Sequence, residues 1–173
     1  METKVTTSVT KGIIITLILI VYGLILYFSN QIGNQWLGYF QQVIFLAGII
    51  WSCVTFSKQM DANVTFGNLF AHGFKVAAAV IALLSVYTAI AMKFLFPDMV
   101  DKGVEIARQK MQQSGKLSDS QITQQLDFYR AHALLFTLAS LIIFMAIIGA
   151  VAALIGAAVA KKKPQDPFAN QPI

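Results

Sequence analysis

Apolar and polar positions along the chain alternate in long blocks, and four of those blocks are apolar on every side. They cover residues 12–28, 36–56, 74–96 and 133–160. The last contains 28 positions without one charged residue. A hydrocarbon core of about 30 Å needs about 20 apolar residues in a helix, so the blocks read as membrane spans. A run that is apolar all round has no solvent face, and in lipid its backbone groups must be paired within the segment. The segments of about 10 alternating residues that a membrane β-barrel needs are absent. The pattern predicts an all-α integral membrane four-helix bundle, organised as a single domain over 1–163.

The polar blocks set the connections. Residues 29–35 are short and uncharged, so the first two spans form an antiparallel hairpin. Residues 57–73 form the second connection. The third, 97–132, is 36 residues long, and a structureless loop of that length is uncommon in a compact domain. Val100, Val104, Ala107 and Met111 are spaced 4, 3, 4; Ile122, Leu126, Tyr129, Ala133 and Phe136 are spaced 4, 3, 4, 3. Both are seam spacings of packed helices. Pro97 suits a first turn, with Asp98 and Asp101 where the helix dipole favours acids. Gly115 suits a C-terminal stop. Ser118 and Gln121 make a capping box, with Leu117 and Ile122 as its staple. The segment reads as an extramembrane amphipathic helical hairpin. Residues 118–148 hold neither glycine nor proline, so its second helix is expected to continue into the last span. A rod over 118–160 would be roughly 64 Å long at about 1.5 Å per residue.

Composition agrees with a membrane protein. Apolar residues make up 57% of the 173 residues and charged residues 12%, against about 25% charged in soluble domains. The net charge of +5 is spread as membrane anchors, so nucleic acid is not an expected partner. Lys4, Lys11, Lys58, Lys75, Lys161, Lys162 and Lys163 fall on one side. The other side has Lys93, Lys102, Arg108, Lys110, Lys116 and Arg130, alongside Asp98, Asp101, Glu105, Asp119 and Asp127. The positive-inside rule then places both termini in the cytoplasm and the hairpin outside. Lys11, Lys75, Lys161, Lys162 and Lys163 read as anchors to headgroups. Lys4 and Lys11 before an apolar run resemble a secretory signal. The run is long for one and lacks a small-x-small cleavage site, so an uncleaved first span is expected. Residues 164–173 hold three prolines and read as a disordered tail.

Candidate chemistry is sparse. Cys53 is the only cysteine, which excludes an intramolecular disulfide and a CxxC site. His72 and His132 belong at opposite membrane faces and cannot share a metal; a headgroup contact is the expected role of His72. No acid falls inside a span, which counts against a coupled transporter. No nucleophile–base motif or phosphate loop stands out, so no catalytic, cofactor-binding or metal residues are assigned and no enzyme activity is expected. Ala146, Gly149, Ala150, Ala153, Gly156 and Ala157 form a small-residue helix-packing face, for contacts within the bundle or between two copies.

The segment 65–75 (Thr-Phe-Gly-Asn-Leu-Phe-Ala-His-Gly-Phe-Lys) leads into the third span. Phe96-Pro97-Asp98 opens the amphipathic segment, which continues through Gly115-Lys116-Leu117-Ser118-Asp119-Ser120-Gln121-Ile122. The Gly- and Ala-rich last span ends in Lys161-Lys162-Lys163. This pattern, over about 5–163, resembles the small four-span proteins of Bacteroidota-type bacteria grouped as domain of unknown function 4199. Arg130-Ala131-His132-Ala133 stands where the family carries a proline, which favours the continuous rod here. The resemblance implies a multi-pass bacterial inner-membrane protein and carries no activity. The expected function is an accessory or scaffold subunit in the lipid bilayer. Its contact surface for a membrane protein partner would be Asp98, Asp101, Glu105, Arg108, Asp127 and Arg130. An oligomeric channel or small-solute transporter, and an enzyme acting on lipid, are the alternatives.

Overall fold

The computed structural model describes residues 6–162. The expected tail at 164–173, the anchor Lys163, and Lys4 lie outside the described residues. Among the described residues six α-helices follow one another: α1 (Ser8–Phe28), α2 (Gln35–Gln59), α3 (Phe66–Ile90), α4 (Met99–Ser114), α5 (Asp119–Ala131) and α6 (Ala133–Val159). No strand occurs among the described residues. Helices α1, α2, α3 and α6 are long and apolar enough to cross a membrane.

Capping explains where they begin. Thr7, Asn34 and Thr65 each accept a backbone N–H from the first turn of α1, α2 and α3. The Thr65 cap starts α3 eight residues before the apolar block at 74, so much of the connection expected over 57–73 is helical. At its far end α3 passes into a π-helical turn, Ala91–Leu95, closed by Phe96 N–H donating to Ala91 O at 2.7 Å. Pro97 supplies no N–H to continue the helix.

Contacts between named residues give the topology. Lys11 reaches Ser52 and Gln59, and Tyr22 O–H donates to Leu37 O, so α1 and α2 are antiparallel. Cys53 Sγ donates to Leu69 O, making α2 and α3 antiparallel. Gly73 lies against Ala153 and Gly149 against Ala77, making α3 and α6 antiparallel. The start of α1, the end of α2, the start of α3 and the end of α6 therefore share one end of the molecule, here called the terminal end. The core between them is Ile15, Leu19, Phe45, Ile49, Val76, Ala77, Val80 and Ala153. The outer surface is also apolar: Ile14, Leu17, Val21, Ile143 and Ile147 are exposed. A water-soluble helical protein would not leave such a girdle uncovered.

Backbones approach closely at glycines. A Cβ on Gly156 would lie 2.8 Å from Cys53 Sγ and 3.2 Å from Ile50 Cα; one on Gly149 would lie 2.8 Å from Ala77 Cβ. Gly149, Ala153, Gly156 and Ala157 are buried against α2 and α3, joined by Ala152. Ala146 and Ala150 are half-buried. Four of the six residues of the small-residue face are thus buried within the chain.

The segment after Pro97 is helical. Val104, Ile122 and Leu126 form a separate small core with Val100, Ala107, Met111, Leu117 and Tyr129 packed on it. Gly115 adopts φ 63° at the C-terminus of α4, and Ser118 with Gln121 forms a complete capping box. The continuous rod expected over 118–160 is not found. Helix α5 ends at His132, with φ −121° and ψ 20°, and α6 begins at the next residue. Arg130 is held to Asp101 on α4 at 2.6 Å, while α6 packs on α2 and α3. At His132 the α-helical ladder is replaced by a turn, with His132 N–H donating to Tyr129 O at 3.1 Å.

Gly156→Ala is expected to lower the thermal midpoint in detergent, because overpacking costs ~1–3 kcal/mol and outweighs the gain in helix propensity. Gly38→Ala, where a Cβ meets nothing within 4 Å, is the matched control and should leave the midpoint unchanged or raise it.

Candidate functional site

Polar side chains gather at two places, one at each end of the molecule. At the terminal end they are buried. Lys11 is 1% exposed. Its Nζ donates to Ser52 O and Gln59 Oε1, each at 3.3 Å, and lies 5.7 Å from the Phe56 ring centre. His72 stacks on Phe56, with ring centres 4.0 Å apart. Its Nδ1 is 3.1 Å from Ser8 Oγ and its Nε2 is 3.1 Å from Ser52 Oγ. Gln59 Nε2 donates to Thr6 Oγ1, and Ser57 Oγ donates to Lys161 O. This corrects two expectations. Lys11 is not a lipid-facing anchor, and His72 does not reach for headgroups; both are packed between helices. Their register agrees once the core is known: Lys11 lies four residues before Ile15, and His72 four before Val76. Lys75 is exposed, as are Lys161 and Lys162; Lys162 donates to Ala157 O at 2.7 Å.

Lys11, Ser52, Ser57 and His72 of this network are buried. Among the described residues Lys11 has no carboxylate within salt-bridge distance, and its donors are directed to carbonyl acceptors. Among the same residues no three His, Cys, Asp or Glu side chains converge on a point where a metal ion would sit. The network joins α1, α2 and α3 in one register.

At the other end the charges are outside. Tyr27 O–H, in the last turn of α1, donates to the Asp98 carboxylate, with its two oxygens at 2.7 and 2.9 Å. Lys102 lies 2.9 Å from Asp98 Oδ2 and 4.2 Å above the Tyr27 ring, and the ring centres of Phe96 and Tyr27 are 4.3 Å apart. This clamp fixes the first turn of α4 to α1. The Tyr27 hydroxyl, and then Lys102, hold the Asp98 carboxyl below the usual aspartate range. Asp98 in turn raises Lys102. The Asp101–Arg130 pair ties α4 to α5. Of the six residues expected as a partner surface, Asp98, Asp101 and Arg130 are therefore engaged within the fold. Glu105 and Asp127 are exposed and Arg108 is half-buried; among the described residues none of the three is in a salt bridge.

Lys11→Met should keep or raise the thermal midpoint, since an apolar chain of similar length fills the same space. Lys11→Ala should lower stability by about 2 kcal/mol or more by opening a cavity. Asp98→Asn should weaken hydrogen-exchange protection at Lys102 and Gly103 at neutral pH. Because the folded Asp98 titrates below its unfolded value, near 3.9, its contribution is complete above that value. It is lost as pH falls through the folded one, so variant and wild type should converge in acid.

No curated protein and no solved structure matches the chain. A family model does match, over residues 10–162; among the described residues this span covers the six helices but for the first two residues of α1, and both polar sites but for Thr6 and Ser8. The chain belongs to the family described as protein of unknown function (DUF4199).

Proposed function

We propose that this protein is a one-domain accessory subunit of a bacterial cytoplasmic membrane, built as a four-span bundle with both termini in the cytoplasm. Helices α4 and α5 form a hairpin on the outer face, and that hairpin meets a membrane protein partner. The observation that carries this reading is the clamp of Tyr27, Asp98 and Lys102. It holds α4 in a fixed orientation on the spans, while the hairpin buries its own apolar seam at Val104, Ile122 and Leu126. Glu105, Arg108 and Asp127 are left without an ion-pair partner among the described residues. A rigidly held, mixed-charge surface suits specific contact more than bulk hydrophobic association. The packed layer of Leu19, Phe45, Ile49 and Val80 fills the centre of one protomer, which counts against a pore through it. The placement of the termini rests on Lys58, Lys75, Lys161 and Lys162 at the terminal end.

The native Cys53 is 0% exposed and should stay silent to a water-soluble maleimide, so Lys116→Cys reports the hairpin alone. Labelling of intact cells is the expected result; labelling only after lysis would reverse the orientation. Purification of the full chain from native membranes in mild detergent should bring a stoichiometric partner. Reversing the charges of Glu105, Arg108 and Asp127 together should release that partner without moving the thermal midpoint. A clean homo-oligomer from wild type would defeat the accessory role.

A further inference from the structure

The four long helices are not packed equally along their length. Around Phe45 and Ile49 the centre is full. About one turn towards the hairpin it opens into a cavity of about 460 Å³, reached by α1, α2, α3 and α6 together, with Met99 of α4 at its edge. A second cavity of about 330 Å³ adjoins it, sharing Tyr87, Thr88, Met99 and Leu141, and extends past Ala91 of the π-helical turn to Tyr129 of α5. Single ligand sites commonly run to about 300–1,000 Å³, so each cavity is of ligand size. A π-helical turn beside it is a frequent companion of functional sites.

Three features describe what fits. First, among the described residues no charged side chain lines either cavity, so a charged ligand would meet no compensating group at membrane depth. Second, the Gln42 Oε1 atom is buried and has no hydrogen-bond partner among the described residues. A buried amide oxygen without a donor is costly, so turning the Gln42 amide into the adjoining cavity, where Oε1 meets a ligand hydroxyl, gains more than it would at a satisfied group. Third, a Cβ on Gly23 would meet nothing within 4 Å, although Gly23 follows the fully buried Leu19 by one turn. Gly12 and Gly48, elsewhere on α1 and α2, face neighbours closer than 3.0 Å. The space at Gly23 is thus local, and it lies on the inner face of the helix.

We propose that these joined cavities bind a neutral, membrane-soluble alcohol: an apolar body that lies among Gly23, Tyr87, Met99 and Phe144 and donates a hydroxyl to Gln42 Oε1. Two lipid classes supply that chemistry, a hydroquinone lipid with its ring between methionine and aromatic side chains, and a diacylglycerol with its free hydroxyl.

The test uses the full chain in phosphatidylcholine nanodiscs and reads the thermal midpoint against added decylubiquinol, its oxidised quinone, dioctanoylglycerol and dioctanoylphosphatidic acid. One alcohol should raise the midpoint saturably, and which one does so names the source. Its partner without a donor, or with a charge, should bind at least about tenfold more weakly, the ratio expected when a buried acceptor loses its donor. Gly23→Leu fills the space, so its unliganded midpoint should equal or exceed that of wild type, and the response to the alcohol should vanish. Gln42→Leu, which leaves Gly23 and the packed layer at Phe45 intact, should weaken the alcohol by about the same tenfold. The proposal is overturned if neither alcohol shifts the wild type, if the quinone or the phosphate ester matches its alcohol, or if both variants respond as wild type does.

Discussion

The close approach of α2, α3 and α6 at Cys53, Gly73, Ala153 and Gly156 is the contact on which the rest of the structure depends. In lipid the apolar surface of one helix gains nothing by leaving its surroundings, so association rests on van der Waals contact and on hydrogen bonds between helices. A Cβ on Gly73 would lie 2.6 Å from Cys53 Sγ and 3.0 Å from Ala153 Cβ. Only at that separation do the three backbones form a common wall. The core at Phe45, Ile49, Val76 and Val80 then follows along the same helices.

Around this contact the two ends of the molecule behave differently. At the terminal end, polar groups occupy the space between helices: Lys11, Ser52 and His72 are all buried, and their donors and acceptors meet one another. Helices there are locked by directional bonds. At the hairpin end the space between helices holds Gln42, Tyr87 and Thr88 with room to spare, and the lock is moved outward to Tyr27, Asp98 and Lys102. The fold is thus tight and polar at one end and open at the other. That asymmetry puts the capacity for a guest molecule beside the helical hairpin.

Much of the helical plan was legible. The seam spacings at Val100–Met111 and Ile122–Tyr129 appear as a small core, and Gly115 and the Ser118–Gln121 box terminate and start helices where their chemistry requires. The extent of α3 was less legible, because the apolar block begins at 74 while the cap is Thr65. The interruption between α5 and α6 is invisible to backbone propensity alone. Nothing between 118 and 148 breaks a helix on its own account, yet two different packing partners pull α5 and α6 apart at His132. His132 Nδ1 sits 3.1 Å from Phe128 O, beside the interruption.

The sequence by itself determined that this is an all-helical protein with four helices long enough to cross a membrane, because period and composition are local properties that a lipid solvent enforces residue by residue. Which polar residues act together was decided only in three dimensions. Lys11 is separated from Ser52 by 41 positions and Tyr27 from Asp98 by 71. Whether a lysine snorkels into water or is enclosed, and whether an aspartate is free or clamped, depends on which helix lies opposite. Helix packing sets that through the sum of many small contacts, none of which is marked in the chain before the helices meet.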